Sequence, residues 1–145
     1  MLDKLIIKDN LSIKEAIKRV EISGQRCVYI EKNNKLIGSL TDGDLRKLII
    51  KDVNLTKKIT KYFNKNPKYL EKKNFSITRA KKILLKYKID TLPVTNKKKI
   101  IQVITWRDIV KNKIPTQKYS IFIIAGGRGE RPVSYTHLTL PTKRI

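Results

Sequence analysis

Apolar residues along this chain change their spacing in a fixed order. Ile13, Ala16, Ile17 and Val20 recur at helical spacing. Ser12 stands before them with Glu15 three residues on, the sequence form of a capping box. Next come two short β-rich runs, "CVYI" (27–30) and "LIGSL" (36–40), joined by "EKNNK", whose Asn33-Asn34 suits a hairpin turn. The second run ends abruptly in Thr41-Asp42-Gly43-Asp44, where a new helix is expected. Much the same succession then returns. Ser76 precedes "ITRAKKILLKYK", which places Ile77, Ala80, Ile83, Leu84 and Tyr87 on one face. "TLPVT" (91–95) and "IIQVI" (100–104) flank an "NKKK" turn. Pro93 calls for an edge or a strand start, because it has no N–H to give a ladder.

The return is a repeat. Thr41 and Thr105 are 64 residues apart, as are Asp44 and Asp108. The same offset carries Asn10 to Asn74, Ser12 to Ser76, Ala16 to Ala80, Lys35 to Lys99 and Ile37 to Ile101. Apolar class is kept where identity is not, as at Ile30 with Val94 and Leu45 with Ile109. The alignment asks for no gap, and chance would not hold register so long. Each copy reads strand, helix, strand, strand, helix. Neither copy alone could bury both its sheet and its helices, so the two should pack face to face about a pseudo-two-fold axis.

With Gly38-x-x-Thr41-x-x-Asp44 closing the first unit, the pattern resembles the tandem CBS-domain pair, or Bateman module, over about residues 2 to 113. The resemblance implies an α/β (α+β) fold of two β-α-β-β-α repeats, divided here as 2–55 and 56–113. The second copy departs from the motif. Gln102 stands where Gly is expected, and Trp106-Arg107 replace Asp42-Gly43.

Thr-x-x-Asp at a helix start is first of all a cap, with the hydroxyl taking one orphan N–H and the carboxylate favouring the positive helix end. A carboxylate at a strand end can also accept both hydrogens of a ribose cis-diol, and helix N–H groups can meet phosphate. What the resemblance implies is that Thr41, Asp44, Thr105 and Asp108 line clefts between the repeats for an adenosine nucleotide (AMP, ADP or ATP). Val28 and Ile37 would then help to form a base pocket. The resemblance further implies a homodimer through the CBS pair.

Composition narrows the remaining classes. In 145 residues, 40% apolar and 32% charged is a globular balance. The longest apolar stretches fall well short of the roughly 20 residues a membrane span needs, and "MLDKLIIKDN" carries charge too evenly for a signal peptide. Cys27 is the one cysteine, so no intrachain disulfide forms and a cytoplasmic setting is expected. The net charge of +22 raises nucleic acid as a partner. Yet the excess is mostly Lys spread through every segment, not a stripe rich in Arg and aromatics, and the reading goes against it.

After a short linker (114–118), "YSIFIIAGGRGERP" opens a new element: an apolar strand followed by a glycine-rich loop. Glycines there let backbone amides approach phosphates. This stretch (119–131) resembles the first strand and signature loop of sugar-phosphate nucleotidyltransferases. That resemblance implies a longer parent enzyme joining a nucleoside triphosphate to a sugar 1-phosphate with a divalent metal such as Mg; the alternative is a free-standing module that senses adenine nucleotides and passes the signal to a protein partner. Gly126, Gly127, Gly129 and Arg131 would then hold the triphosphate, while Glu130 and Pro132 depart from the family pattern. Residues 132–145 have neither helical period nor alternation and resemble translated adapter read-through, a tail expected to be non-native. With His137 the only histidine, no catalytic residue or metal cluster is expected in the chain itself.

Overall fold

The computed structural model describes residues 2–111. The proposed linker, glycine-rich loop and tail (114–145) therefore lie outside the described residues. The first repeat contains α1 (Leu2–Leu5), β1 (Ile6–Lys8), α2 (Ile13–Ser23), β2 (Cys27–Lys32), β3 (Lys35–Thr41) and α3 (Asp42–Ile50). The second contains β4 (Leu70–Glu71), α4 (Ile77–Tyr87), β5 (Thr91–Asn96), β6 (Lys99–Thr105) and α5 (Trp106–Lys111). Each repeat makes one three-stranded sheet, in the orders β1-β2-β3 and β4-β5-β6. The first two strands of each are parallel and the last two antiparallel. The mixed α/β architecture matches the expectation; the one-turn helix α1 ahead of β1 was not foreseen.

Local chemistry explains the elements. Ser12 accepts the Glu15 N–H at 3.2 Å, and Glu15 accepts the Ser12 N–H at 2.8 Å, closing the capping box of α2. These hydrogen bonds hold the Glu15 carboxyl below its usual range. Ser76 caps α4 alone, since Arg79 occupies the place of the glutamate. Both hairpins turn through two left-handed residues, Asn33-Asn34 and Lys97-Lys98, as a two-residue connection between twisted strands requires. A register shift follows at equivalent places, between Ile30 and Glu31 and between Val94 and Thr95.

Pro93 lies in the central strand of its sheet, opposite Val103, and β4 begins to pair only at Val94. At Pro93 the strand is therefore locally an edge, which is how the missing donor is tolerated.

The uninterrupted 64-residue register needs one correction. Ile7 pairs with Ile30, whereas Leu70 pairs with Val94. The structural partner of Leu70 is thus Ile7, 63 residues away, and the connection from strand to helix is one residue longer in the second repeat. Burial sets this, because Ile7 and Leu70 are the first-strand residues packed into their respective cores.

Three apolar clusters hold the unit together. One lies between the first sheet and its helices (Ile13, Ala16, Val28, Ile30, Leu40, Leu45). A second repeats it (Ala80, Leu84, Leu92, Val94, Ile104, Ile109). The third joins the repeats, with Leu5, Tyr29 and Leu36 against Ile100 and Val103. Burying each such side chain contributes about 1.5–3 kcal/mol, so neither sheet surface is stable left open. Two polar ties accompany that interface. Tyr29 Oη lies 3.0 Å from the Thr91 carbonyl and 2.7 Å from its hydroxyl, and the Leu36 N–H donates to the Lys98 carbonyl at 2.8 Å.

The segment between repeats is bonded down as well. Asn64 and Ser39 exchange backbone hydrogen bonds at 3.0 and 2.9 Å, adding a bridge to the edge of β3. Gly38 permits it: a Cβ there would stand 2.2 Å from the Phe63 ring and 2.8 Å from the Asn64 carbonyl. Among the described residues, no helix is long and apolar enough to cross a membrane.

Candidate functional site

Thr41 ends β3 in extended conformation and caps α3. Its hydroxyl accepts the Asp44 N–H at 3.1 Å, and its own N–H and hydroxyl donate to Asp44 Oδ2 at 3.0 and 2.8 Å. Both bonds to the carboxylate fall on Oδ2, so Oδ1 remains for another partner. The second pair is built alike, with the Thr105 N–H and hydroxyl each 2.8 Å from Asp108 Oδ2. The cap explains why this spacing recurs. It does not exhaust what the carboxylate can do.

Around the first pair opens a cleft of about 570 Å³, a size suited to a small organic ligand. Repeat 1 contributes Arg26, Cys27, Tyr29, Ser39 and the turn from Thr41 to Asp44; repeat 2 contributes Lys88 to Thr91; the connection adds Asn64 and Lys68. Strand alternation selects these side chains. Cys27 pairs with Thr41, and Tyr29 with Ser39, on one face of the ribbon, whereas Val28 and Leu40 point the other way into the core.

Val28 is fully buried there, and Ile37 packs on the same core; neither lines this cleft. The structure thus brings Thr41 and Asp44 together at an open site without the two apolar residues expected beside them. Thr105 and Asp108 form the equivalent cap on the other repeat. Trp106, in the place of Asp42, packs against the second core.

The cleft mixes charge. Arg46 is paired with Asp42 one helical turn away, and the Lys68 ammonium lies 4.5 Å from the centre of the Tyr87 ring. Arg26, at a left-handed backbone position, and Lys88, which ends α4 in the same conformation, complete the basic groups. Asp44 and Asp90 oppose them. A ligand bearing both hydroxyls and an anionic group meets suitable partners here. Burial pushes the Cys27 thiol up to about 11 and raises the Tyr29 hydroxyl well above its usual range, so both stay neutral.

Sequence reasoning missed Arg26, Ser39, Asn64, Lys68 and Lys88. Ser39 occupies an unspecified position of the Gly38-x-x-Thr41-x-x-Asp44 pattern and the other four lie outside it, so packing of the repeats is what collects them. Among the described residues no three His, Cys, Asp or Glu side chains gather as a metal site would require.

Comparison with known proteins agrees with this architecture. The chain is 33% identical over 108 residues to the arabinose 5-phosphate isomerase KdsD of Francisella tularensis, covering 73% of this chain and 33% of that protein. It is 33% identical over 117 residues to the inosine-5'-monophosphate dehydrogenase of Aquifex aeolicus, covering 78% and 23%. The chain thus spans about a third or less of the curated relatives it matches. Among solved structures, CBSX2 in complex with AMP superposes with a TM-score of 0.65 at 21% identity, over 76% of this chain and 87% of that one. A CBS domain protein of Pyrobaculum aerophilum complexed with AMP gives 0.64 at 12%, over 72% and 81%. The CBS domain model itself matches twice, at residues 1–51 and 62–114. On that double match, laid over two sheets packed as one unit, the chain belongs to the CBS-domain family.

Proposed function

We propose that this chain is a regulatory CBS pair that takes an adenosine nucleotide in the cleft of Thr41 and Asp44. The observation that carries the reading is the cleft itself, where Asp44 keeps one carboxylate oxygen beside four basic side chains drawn from both repeats and the connection. Two structures of the same fold are complexes with AMP, which supports the ligand class. Asp44 Oδ1 would accept from the ribose hydroxyls while Oδ2 maintains the cap. Arg26, Lys68 and Lys88 would offset phosphate charge. Occupancy would fasten the two repeats together, because the lining comes from both, and a partner domain or subunit would read the change.

Calorimetry with AMP, ADP and ATP tests this. Asp44→Asn retains a side chain suited to helix starts but weakens acceptance from a cis-diol. Affinity should fall roughly tenfold or more, the scale of a charge-assisted hydrogen bond. Absence of binding by the unaltered chain at millimolar nucleotide would remove the proposal.

The repeats divide at 55/56 in this reading, the pair dimerises, and the setting is cytoplasmic. For a parent enzyme, Gly126, Gly127, Gly129 and Arg131 favour a sugar-phosphate nucleotidyltransferase needing Mg, a different chemistry from either curated relative named above. Genomic sequence read past codon 130 decides it, since about 200 further residues with matching motifs would have to follow.

A further inference from the structure

The cleft contains two polar side chains that its cap and charges leave underused. Ser39 is only 8% exposed, yet its hydroxyl has a single side-chain contact, the Asn64 amide nitrogen at the outer limit of 3.5 Å. In the wall of the cleft, that hydroxyl is left facing whatever occupies it. Asn64 is held firmly at one end only. Its Oδ1 accepts the Asn66 N–H at 3.0 Å, while its Nδ2 has just the Ser39 contact and the Asn66 carbonyl at 3.4 Å. The backbone fixes both residues, through the paired hydrogen bonds between Ser39 and Asn64 and the close passage of the chain over Gly38. A preset pair therefore offers a donor from Asn64 and a hydroxyl that can donate or accept from Ser39, along the same cleft wall as Thr41 and Asp44.

We infer that Ser39 and Asn64 read the heterocyclic base of the bound nucleotide. This rests on the nucleotide reading of the cleft. An edge carrying a ring nitrogen beside an exocyclic amine gives an acceptor to Asn64 Nδ2 and a donor to Ser39 Oγ. The pair thus supplies the polar recognition that Val28 and Ile37, turned into the core, do not provide. It also places base recognition partly on the connection between repeats, so the ligand secures that segment as well as both sheets.

The test compares AMP with ribose 5-phosphate, which lacks the base, by calorimetry on the whole chain. Ser39→Ala removes the hydroxyl, and Asn64→Asp keeps the acceptor that holds Asn66 while removing the donor. Each should weaken AMP about three- to tenfold, the scale of one hydrogen bond, and leave ribose 5-phosphate unchanged. Circular dichroism of each variant checks that the fold persists. Unchanged AMP affinity in both folded variants overturns the inference while the nucleotide site survives. So does an equal loss for both ligands, which would mark a merely structural role. If the unaltered chain binds neither compound, the nucleotide reading falls and takes this assignment with it.

Discussion

The two repeats share a fold and a cap, yet among the described residues only the first has a connecting segment lying across its last strand. Gly38 admits Phe63 and Asn64 against β3; Gln102, its counterpart, is exposed on β6. At the cap, Asp42-Gly43 leave room, with Thr41 Oγ1 3.7 Å from a Cβ built on Gly43 as its nearest neighbour. Trp106 in the matching place is spent on packing. Duplication therefore supplied two similar cores, and the later divergence made their surfaces unequal. The residues shared by the repeats build the two cores and both caps, and the residues that differ give the two caps unequal surroundings.

The largest expected effect comes from exchanging residues across that asymmetry. Gly38→Gln should lower stability by about 2–3 kcal/mol, the scale of overpacking, since both a ring and a backbone carbonyl must move. Gln102→Gly should cost only about 0.5–1 kcal/mol, as glycine does within a strand. Urea titrations of both variants measure the contrast, and comparable losses would show that the connection does not depend on Gly38.

A smaller difference is expected at the helix ends. Gly24 and Lys88 both end their helices in left-handed conformation, at φ 68° and 52°. Gly24→Ala should destabilise by about 1 kcal/mol, whereas Lys88→Gly should stabilise by up to about that much. Because Lys88 lines the cleft, the same Lys88→Gly change should weaken nucleotide binding while raising the melting temperature. A gain in stability with affinity unchanged would take Lys88 out of the proposed site.

A further effect is confined to high pH. The Cys27 thiol, raised to about 11 by burial, binds its proton more tightly in the folded state than when unfolded. Its contribution is complete below the ordinary thiol range near pH 8.5–9 and is lost as pH rises toward about 11. Melting temperatures from pH 8 to 11 should decline, and Cys27→Ala should shallow the decline. Iodoacetamide labelling of this single cysteine should be slow at pH 8 and slower still with AMP bound, because Cys27 lines the cleft. Rapid labelling at pH 8 would contradict the raised thiol.

Much of the fold was legible before any coordinates. The helix face of Ile13, Ala16 and Val20, the caps at Ser12 and Thr41 and the Asn33-Asn34 turn are local: each depends on residues within a few positions, and the structure places each as expected. Repetition then implied two units with a shared interface. The slip at Leu70 escaped detection because a two-residue strand has too little pattern to fix register.

The site divides along the same line. Sequence by itself determined Thr41 and Asp44, since a cap is written in adjacent residues. Only tertiary structure decided which side chains share their cleft. Strand alternation and sheet packing sent Val28 inward, and the connection carried Asn64 and Lys68 to a wall otherwise made by residues distant in the chain. A cap needs one turn of backbone. A cleft needs two sheets to meet.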